Sequence, residues 1–323
     1  MIPDQDFPTG HHADSAPEAL GEEVAQLIRL VRTGEEANIK LAFLLAEGLG
    51  HPSGFQAYLE RLLPLYQLAF DHTPNQLDSD ALRQLLQLTE LDISERGLAV
   101  LPENIGALLN LQRLDCSKNQ LQTLPESIGQ LKNLQRLDCS TNQLQVLPES
   151  IGQLRNLKWL NCFHNQLQAL PKSIGKLLNL WWLFCNSNQL QVLPESLGQL
   201  QNLQELDCSH NQLQVLLDSI GQLKNLYLLN YAENQLQALP ESIERLHHLQ
   251  YFYCSANQLQ ALPESIGQLP NLQWLSCLDN QLAALPESLA GLPALEKLDA
   301  RKNLLTHIPP ALRHKEGLTL LVD

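Results

Sequence analysis

Leucine recurs at a fixed spacing along most of this chain. From Leu88 onward, a 23-residue unit repeats without insertion or deletion. In the second unit, positions 3 to 5 read Arg113-Leu114-Asp115, and this alternation predicts a short strand whose residues 4 and 6 point inward while residues 3 and 5 point outward. Ten complete units begin at Leu88, Leu111, Leu134, Leu157, Leu180, Leu203, Leu226, Leu249, Leu272 and Leu295, and a truncated eleventh begins at Leu318.

Position 9 of the unit is the polar exception among the leucines. It is Asn in nine of the ten units, from Asn119 to Asn303, and Arg96 in the first. A buried amide must be hydrogen-bonded, so we predict a structural asparagine ladder. Positions 14 to 21, such as Leu124 to Leu131, predict a short helical return in which Pro opens the helix and Gly ends it. No unit buries its leucines alone, so the units must stack.

The first eleven positions, L-x-x-L-x-C-x-x-N-x-L, resemble the leucine-rich-repeat signature. The segment L-P-E-S-I-G-x-L-x-N-L is similar to the 23-residue repeats of bacterial cytoplasmic and effector proteins, plant intracellular Ras-group-related proteins, animal Ras-binding scaffolds and Roco-type proteins. The resemblance covers residues 88–323. It implies an α/β solenoid of horseshoe form, with a parallel concave β-sheet and short convex helical or 3-10 turns. It also implies partner binding on the concave face, without choosing the partner.

The chain before the repeats has a different pattern. Residues 1–16 have no apolar period and predict a disordered tail. Residues 17–87 predict an all-helical N-terminal cap of three or four helices, because apolar residues recur with helical spacing over 17–49, 52–70 and 78–87. Pro64 is expected to kink or split the middle helix. The predicted organisation is therefore a tail, a cap, and a solenoid over residues 88–323.

Charge and cysteine usage narrow the partners and the compartment. The net charge of −14 disfavours nucleic acid and anionic membranes as partners. The N-terminus lacks the basic start and apolar stretch of a secretion signal. The predicted cap contains no cysteine, whereas extracellular repeat proteins usually carry disulfide-bonded caps. A cytoplasmic protein is predicted, and a translocated effector without a cleavable signal is the alternative.

All seven cysteines fall at position 6, which points inward. A cysteine there behaves as a small apolar side chain. The 23-residue spacing offers no paired metal ligands within a unit, so no metal is predicted. Cysteines on neighbouring strands can approach one another, which leaves oxidation open. The residues concerned are Cys116, Cys139, Cys162, Cys185, Cys208, Cys254 and Cys277.

Catalytic motifs are not found in the sequence. It contains no zinc-protease, P-loop, nucleophile-elbow or dinucleotide-binding signature. Asp115 and Asp138 stand beside Arg113 and Arg136 on neighbouring predicted strands, which favours a solvated charge ladder over acid–base catalysis. We therefore predict a protein that is not an enzyme and that needs no cofactor.

Aromatic residues occupy outward strand positions, where a solvated sheet would carry polar residues. The first three units carry only polar or charged residues on this face, and the aromatics begin in unit four. Tyr231 and Phe252 fall at inward positions and are predicted to lie in the core. Outward aromatic and apolar side chains are typical of binding hot spots, although cross-strand stacking alone is an alternative explanation. The outward set is Trp159, Phe163, Trp181, Trp182, Phe184, Tyr227, Leu228, Tyr251, Tyr253 and Trp274.

The leading functional hypothesis is a bacterial-type adaptor that binds a protein or peptide on the concave face. The aromatic set would supply affinity, while Arg113 and Arg136 would supply orientation and association rate. Two alternatives stay open. One is the recognition part of a larger effector or signalling enzyme whose catalytic domain lies elsewhere. The other is capture of a glycan or planar small molecule by the aromatic patch. The sequence does not identify the partner, the pathway or the oligomeric state.

Overall fold

The computed structural model describes residues 21–323 and forms two compact units. Within the described residues, the first comprises residues 21–63 and 74–84, and the second comprises residues 64–73 and 85–323. The predicted disordered tail, residues 1–16, lies outside the described residues, as do the first four residues of the predicted cap. The proposed boundaries at residues 17 and 88 stay predictions.

An N-terminal helical region is present, as predicted. The helix α3 continues through Pro64 instead of splitting there. Across the described part of the chain, no helix is both long enough and apolar enough to cross a membrane. The four helices are α1 (Glu22–Arg32), α2 (Glu36–Gly48), α3 (Ser53–Phe70) and α4 (Ser79–Leu86).

Helix α2 carries more apolar side chains than it buries. Ile39 and Ala42 are completely buried. Leu41, Leu44 and Leu45 belong to the same predicted apolar pattern, but they are exposed. The periodicity therefore predicted the helix correctly and did not distinguish its two apolar sides, because each satisfies a helical spacing.

The repeats form one parallel sheet of eleven strands in sequential order. Each of the first ten strands occupies positions 3 to 5 of its unit, and neighbouring units pair position for position. The predicted α/β solenoid is therefore confirmed. The strands are β1 (Glu90–Asp92), β2 (Arg113–Asp115), β3 (Arg136–Asp138), β4 (Trp159–Asn161), β5 (Trp182–Phe184), β6 (Glu205–Asp207), β7 (Leu228–Asn230), β8 (Tyr251–Tyr253), β9 (Trp274–Ser276), β10 (Lys297–Asp299) and β11 (Thr319–Leu321).

The last strand corrects the predicted start of the truncated unit. Thr319 pairs with Lys297, which is the third residue of its unit. The eleventh unit therefore begins at Gly317 and not at Leu318. The connection before it contains a short helix, α5 (Pro310–Arg313), where the other units carry a 3-10 helix, and it is one residue shorter.

The core lies beneath the sheet and is made of the inward positions. Every cysteine at position 6 is completely buried, and so are Tyr231 and Phe252, as predicted. The asparagine ladder is also confirmed. The side-chain amide of Asn165 donates to the carbonyl oxygens of Cys139 (3.0 Å) and Cys162 (3.1 Å). Its Oδ1 accepts a hydrogen bond from the Leu144 backbone N–H (2.9 Å), so one side chain joins two repeats.

Nine 3-10 helices form the return segments. Unit six has Leu217-Asp218 where most units have Pro-Glu, and unit seven has Glu244-Arg245 where most have Gly-Gln. The 3-10 helices of both units have the same five-residue length as the others. The nine helices are Glu103–Ala107, Glu126–Gln130, Glu149–Gln153, Lys172–Lys176, Glu195–Gln199, Asp218–Gln222, Glu241–Arg245, Glu264–Gln268 and Glu287–Gly291.

Candidate functional site

The strand face is the surface formed by the outward side chains of the sheet, at positions 3 and 5 of each strand with positions 2 and 7 beside them. Because the strands pair in register, each position forms a row that crosses the sheet. The position-3 row reads Arg113, Arg136, Trp159, Trp182, Glu205, Leu228, Tyr251, Trp274 and Lys297. The position-5 row reads Asp115, Asp138, Asn161, Phe184, Asp207, Asn230, Tyr253, Ser276 and Asp299.

The outward aromatic side chains do reach the surface, but most of them are only partly exposed. Trp159, Trp181, Trp182 and Trp274 are half-buried, and Leu228 is as well. Phe163 is the most open of the set, with 36% of its surface exposed. The rings are therefore not immersed in water, because they lie against their neighbours on the same face.

The outward rings form two aromatic clusters. In the first, Trp159 contacts Phe184 edge-on, with ring centroids 6.0 Å apart, and Trp181 contacts Trp182 at 5.4 Å. In the second, Tyr253 meets Trp274 at 5.2 Å, again edge-on. Cross-strand stacking therefore accounts for part of the ring burial. Each such pair contributes about 0.5–1.5 kcal/mol beyond its buried area.

Three further members of the outward set lie beside other side chains. Phe163 lies 5.5 Å from the ring of His164. The Tyr251 hydroxyl donates to the Gln273 side-chain oxygen at 3.2 Å. Leu228 stands between Glu205 and Tyr251 in the position-3 row.

Cations of the chain itself cover the outer indoles. The guanidinium of Arg136 lies 3.7 Å from the centroid of Trp159, and the ammonium of Lys297 lies 3.9 Å from that of Trp274. Lys158 stands farther from Trp181, at 5.2 Å. A cation at these distances is attracted to the electron-rich ring face. Arg136 is therefore part of the aromatic surface and not only of a charged end.

In the predicted solvated charge ladder, Arg113 and Arg136 are exposed, and the Arg113 guanidinium lies 3.2 Å from Glu90. The two carboxylates differ from the prediction. Asp138 is buried and accepts hydrogen bonds from the Ser140 hydroxyl (2.6 Å) and backbone N–H (3.0 Å). Asp115 accepts the Ser117 N–H in the same way. These carboxylates fix the turn that follows the strand, so burial and hydrogen bonding replace hydration.

Two acids occupy the middle of the strand face. Glu205 is in register with Trp182 on one side and Leu228 on the other. Its carboxylate accepts a hydrogen bond of 3.4 Å from the Tyr227 hydroxyl, and partial burial raises the pKa of the Glu205 carboxyl. Asp207 holds the Ser209 turn (2.7 Å to the hydroxyl). Within residues 21–323, no ion pair involves either acid.

The cysteine row is chemically quiet. Burial raises the pKa of the Cys116, Cys139, Cys162, Cys254 and Cys277 thiols, that of Cys277 to about 12. The contact with the Cys208 sulfur, together with burial, raises the pKa of Cys185. The two sulfur atoms of Cys185 and Cys208 lie 3.2 Å apart, the approach that the sequence left open. Among the described residues, no group of three or more His, Cys, Asp or Glu side chains is arranged to hold a metal ion.

The sequence reasoning missed four residues of this face: Lys158, Glu205, Asp207 and Lys297. Lysine, glutamate and aspartate are ordinary on an exposed strand, so residue type alone does not distinguish these four from solvated surface. Glu205 could have been recognised from the sequence, because the position-3 row can be read from the repeat alignment and Glu205 is an acid between two apolar neighbours in that row.

Comparison with known proteins gives the family and the fold. A model of a leucine-rich repeat region matches residues 138–231 and 207–313, and a second model, of two leucine-rich repeat copies, matches residues 109–149. No curated protein matches the sequence.

Among solved structures, the chain is similar to the leucine-rich repeat protein LIC12759 of Leptospira interrogans, with 32% identity, a TM-score of 0.47, and coverage of 74% of this chain and 80% of the other. It is similar to the plant peptide hormone receptor RGFR1 in complex with RGF2, with 28% identity and a TM-score of 0.65 over 74% of this chain and 44% of the receptor. The functional domain of InlJ from Listeria monocytogenes, described as including a cysteine ladder, shares 24% identity and a TM-score of 0.59 over 83% and 61% of the two chains.

Proposed function

Since the chain belongs to the leucine-rich repeat family, we propose that it is a non-catalytic scaffold that binds a protein partner on its strand face. The observation that carries the proposal is the position of all four tryptophans on that face, each half-buried and still in contact with solvent. Cross-strand stacking explains the contacts of Trp159 with Phe184 and of Trp274 with Tyr253. It does not explain why each ring stands on the outer side of the sheet, where its remaining surface meets water.

The composition of the face supports binding to a protein. Trp, Tyr and Arg are the residues most enriched at the centres of protein interfaces, and here they form two clusters on one face, separated by β6 and β7. The fold is also compatible with a peptide or protein ligand, since the plant receptor RGFR1 was solved in complex with RGF2. The residues proposed to bind are the outward aromatic set with Leu228, flanked by Arg113 and Arg136.

The chemistry of the described side chains supports a non-catalytic role. Thiolates are the reactive form of cysteine, and six of the seven buried thiols are held protonated by raised pKa values. The pair of His210 and Glu233, 2.8 Å apart, is exposed on both sides. Free, buried cysteines also fit a reducing compartment, which supports our proposal of a cytoplasmic protein of the 23-residue bacterial type.

The double variant Trp181→Ala/Trp182→Ala tests this function. We expect it to retain the fold, because neither indole is fully buried, and to bind the partner more weakly by about 2 kcal/mol or more. The measurement is affinity purification under reducing conditions with quantitative mass spectrometry, followed by titration of the partner recovered.

The matched control is Leu178→Ala, which removes an apolar side chain that is 56% exposed and lies outside the strand face. The control should bind like the wild type. If the double variant, shown by circular dichroism to be folded, binds every partner with unchanged affinity, the strand face is not the binding site.

A further inference from the structure

The two ends of the aromatic surface share one arrangement: an indole, a cation over its face and a carboxylate on the cation's strand. At one end, Arg136 covers Trp159 at 3.7 Å and lies 4.0 Å from Asp138. At the other end, Lys297 covers Trp274 at 3.9 Å. The strand of Lys297 carries Asp299, whose pKa is lowered chiefly by Arg301 and further by Lys297. The chain itself thus supplies the positive charge at both ends.

The middle of the surface has the indole and the carboxylates but not the cation. Trp182 contacts Trp181 on one edge, and within residues 21–323 no cation is recorded over its face. Its register partner on β6 is Glu205, in the place that Lys297 takes beside Trp274. Asp207, two residues along β6, corresponds to Asp299 on β10. The middle therefore has the same arrangement of indole and carboxylate, except that Glu205 occupies the position that Lys297 takes beside Trp274.

We propose that the partner supplies the missing cation as an arginine side chain, which stacks on Trp182 and bonds to the Glu205 carboxylate. This inference rests on the proposed function and specifies the partner's chemistry. Arginine fits better than lysine, because its planar guanidinium stacks on an aromatic face and donates two parallel hydrogen bonds to a carboxylate. The net charge of −14 also favours a basic segment in the partner.

The surroundings of Glu205 support an incoming cation. Its carboxylate is partly buried, its one recorded hydrogen bond is the long 3.4 Å contact from Tyr227, and burial raises its pKa. A carboxylate in that state is short of charged donors, and a guanidinium provides them. Neighbouring strands lie about 4.8 Å apart, so one guanidinium above Trp182 reaches the adjacent carboxylate.

The flanking residues define the rest of the segment. Trp159 adjoins Trp182 on the preceding strand, and Phe184 lies two residues along the strand of Trp182. Leu228 and Tyr251 follow Glu205 on the C-terminal side. The expected ligand is an extended segment with one arginine between apolar side chains.

The test uses defined, fluorescein-labelled heptapeptides with capped termini and leucine on both sides of a central residue. The central residue is arginine, lysine or citrulline, which keeps the shape of arginine without its charge. Titrated against the full chain and followed by fluorescence anisotropy, the arginine peptide should bind about ten-fold more tightly than the citrulline peptide. Lysine should fall between them.

Glu205→Gln should reduce this preference, leaving only the attraction between the cation and the Trp182 ring, whereas Glu195→Gln should preserve it in full. Both substitutions remove one negative charge, and Glu195 lies on a return segment outside the strand face. Asp207 is not the residue to change, since its carboxylate holds the Ser209 turn. Circular dichroism of each variant shows whether the fold is retained.

The outcomes separate this inference from the proposed function. Equal binding of the arginine and citrulline peptides, with both weakened by Trp181→Ala/Trp182→Ala, overturns the arginine site and upholds the strand face as a binding surface. Failure of all three peptides to bind also overturns the inference, and the partner purification then decides the function alone. Equal affinities for arginine and lysine overturn the choice of a guanidinium.

Discussion

The eighth residue of each complete repeat adopts a left-handed backbone conformation, whatever its side chain. Its φ angle lies between 51° at Ala256 and 59° at Glu95. Residues with a Cβ atom, other than Asn and Asp, rarely take up this conformation. Thr141 is the most unfavourable occupant, because its β-branched side chain crowds the backbone there. The repeat tolerates the strain since the conformation is imposed by hydrogen bonds to the next unit, such as Thr141 N–H to Phe163 O at 2.8 Å.

Replacing Thr141 with asparagine should therefore stabilise the protein. We expect Thr141→Asn to raise the free energy of unfolding by about 0.5–1 kcal/mol, because asparagine accepts left-handed geometry at lower energy. Urea unfolding followed by circular dichroism measures the change. The matched control is Thr123→Asn, at an exposed position whose φ is not positive. Stabilisation of equal size in both variants would show that backbone strain at Thr141 is not the cause.

At the residue scale, the sequence predicted which side chains point into the core and which point outward, but not which side chains they contact. The asparagine ladder and the inward cysteines were predictable because a period of 23 fixes which side chains share an environment. The cations over Trp159 and Trp274 were not, since they depend on the side-chain conformations of residues a full repeat apart. The buried turn contact of Asp138 was missed for a similar reason: its partner, Ser140, is local, but the burial comes from the next unit.

At the scale of the elements, the return segments are set by how closely neighbouring repeats approach. The glycine of each Ser-Ile-Gly or Ser-Leu-Gly sequence was expected to end the helix. The structure gives a different reason: a Cβ on Gly152 would lie 2.5 Å from the Ser173 carbonyl oxygen and 2.6 Å from the Ser173 Cβ. At Gly152, close packing against the following repeat thus leaves no room for a side chain, whereas units seven and nine carry Glu244 and Ala290 at the same position. That distance is a property of two stacked units and cannot be read from one.

Gly152→Ala should consequently destabilise the array. We expect the free energy of unfolding to fall by about 1–3 kcal/mol, since the new methyl group meets backbone atoms that cannot move aside without shifting a whole unit. Thermal or urea unfolding provides the measurement. Gly291→Ala is the control, because nothing lies within 4 Å of the Cβ that it would add. An equal loss in the two variants would point to helix ending, and not to packing, as the role of Gly152.

Element boundaries show where sequence reasoning was strong and where it was weak. Positions 3 to 5 identified ten strands to the residue, because the alternation of side chains and the repeat period agree. The last strand was placed one residue late, since the helix α5 shortens the preceding connection. In the helical unit, the exposed side of α2 was not distinguished from its buried side, because which side is covered depends on where the neighbouring helices pack.

At the scale of the whole repeat array, each unit contacts mainly the units before and after it, so the array behaves as a one-dimensional stack. Position 9 illustrates the coupling: Asn165 bonds to carbonyl groups of its own unit and of the preceding one. Any unit of unchanged length can therefore make the same contacts with a new neighbour. The aromatic surface and its central acids then result from the order in which otherwise equivalent units are stacked.

Removal of one entire unit should leave a folded array. Deleting residues 134–156 joins unit two to unit four in register, and Arg113 takes the place of Arg136 beside Trp159. We expect a single cooperative urea transition, a lower midpoint, and a denaturant dependence smaller by about a tenth, since 23 of the 236 repeat residues are lost. Tryptophan fluorescence should stay close to that of the full chain because Arg113 covers the same indole.

Deleting residues 134–145 alone breaks the phase of leucines and asparagines, and that variant should lose cooperativity. Cooperative unfolding of both deletions would mean that register does not hold the stack together, and loss of the transition in both would mean that unit three is not interchangeable with its neighbour.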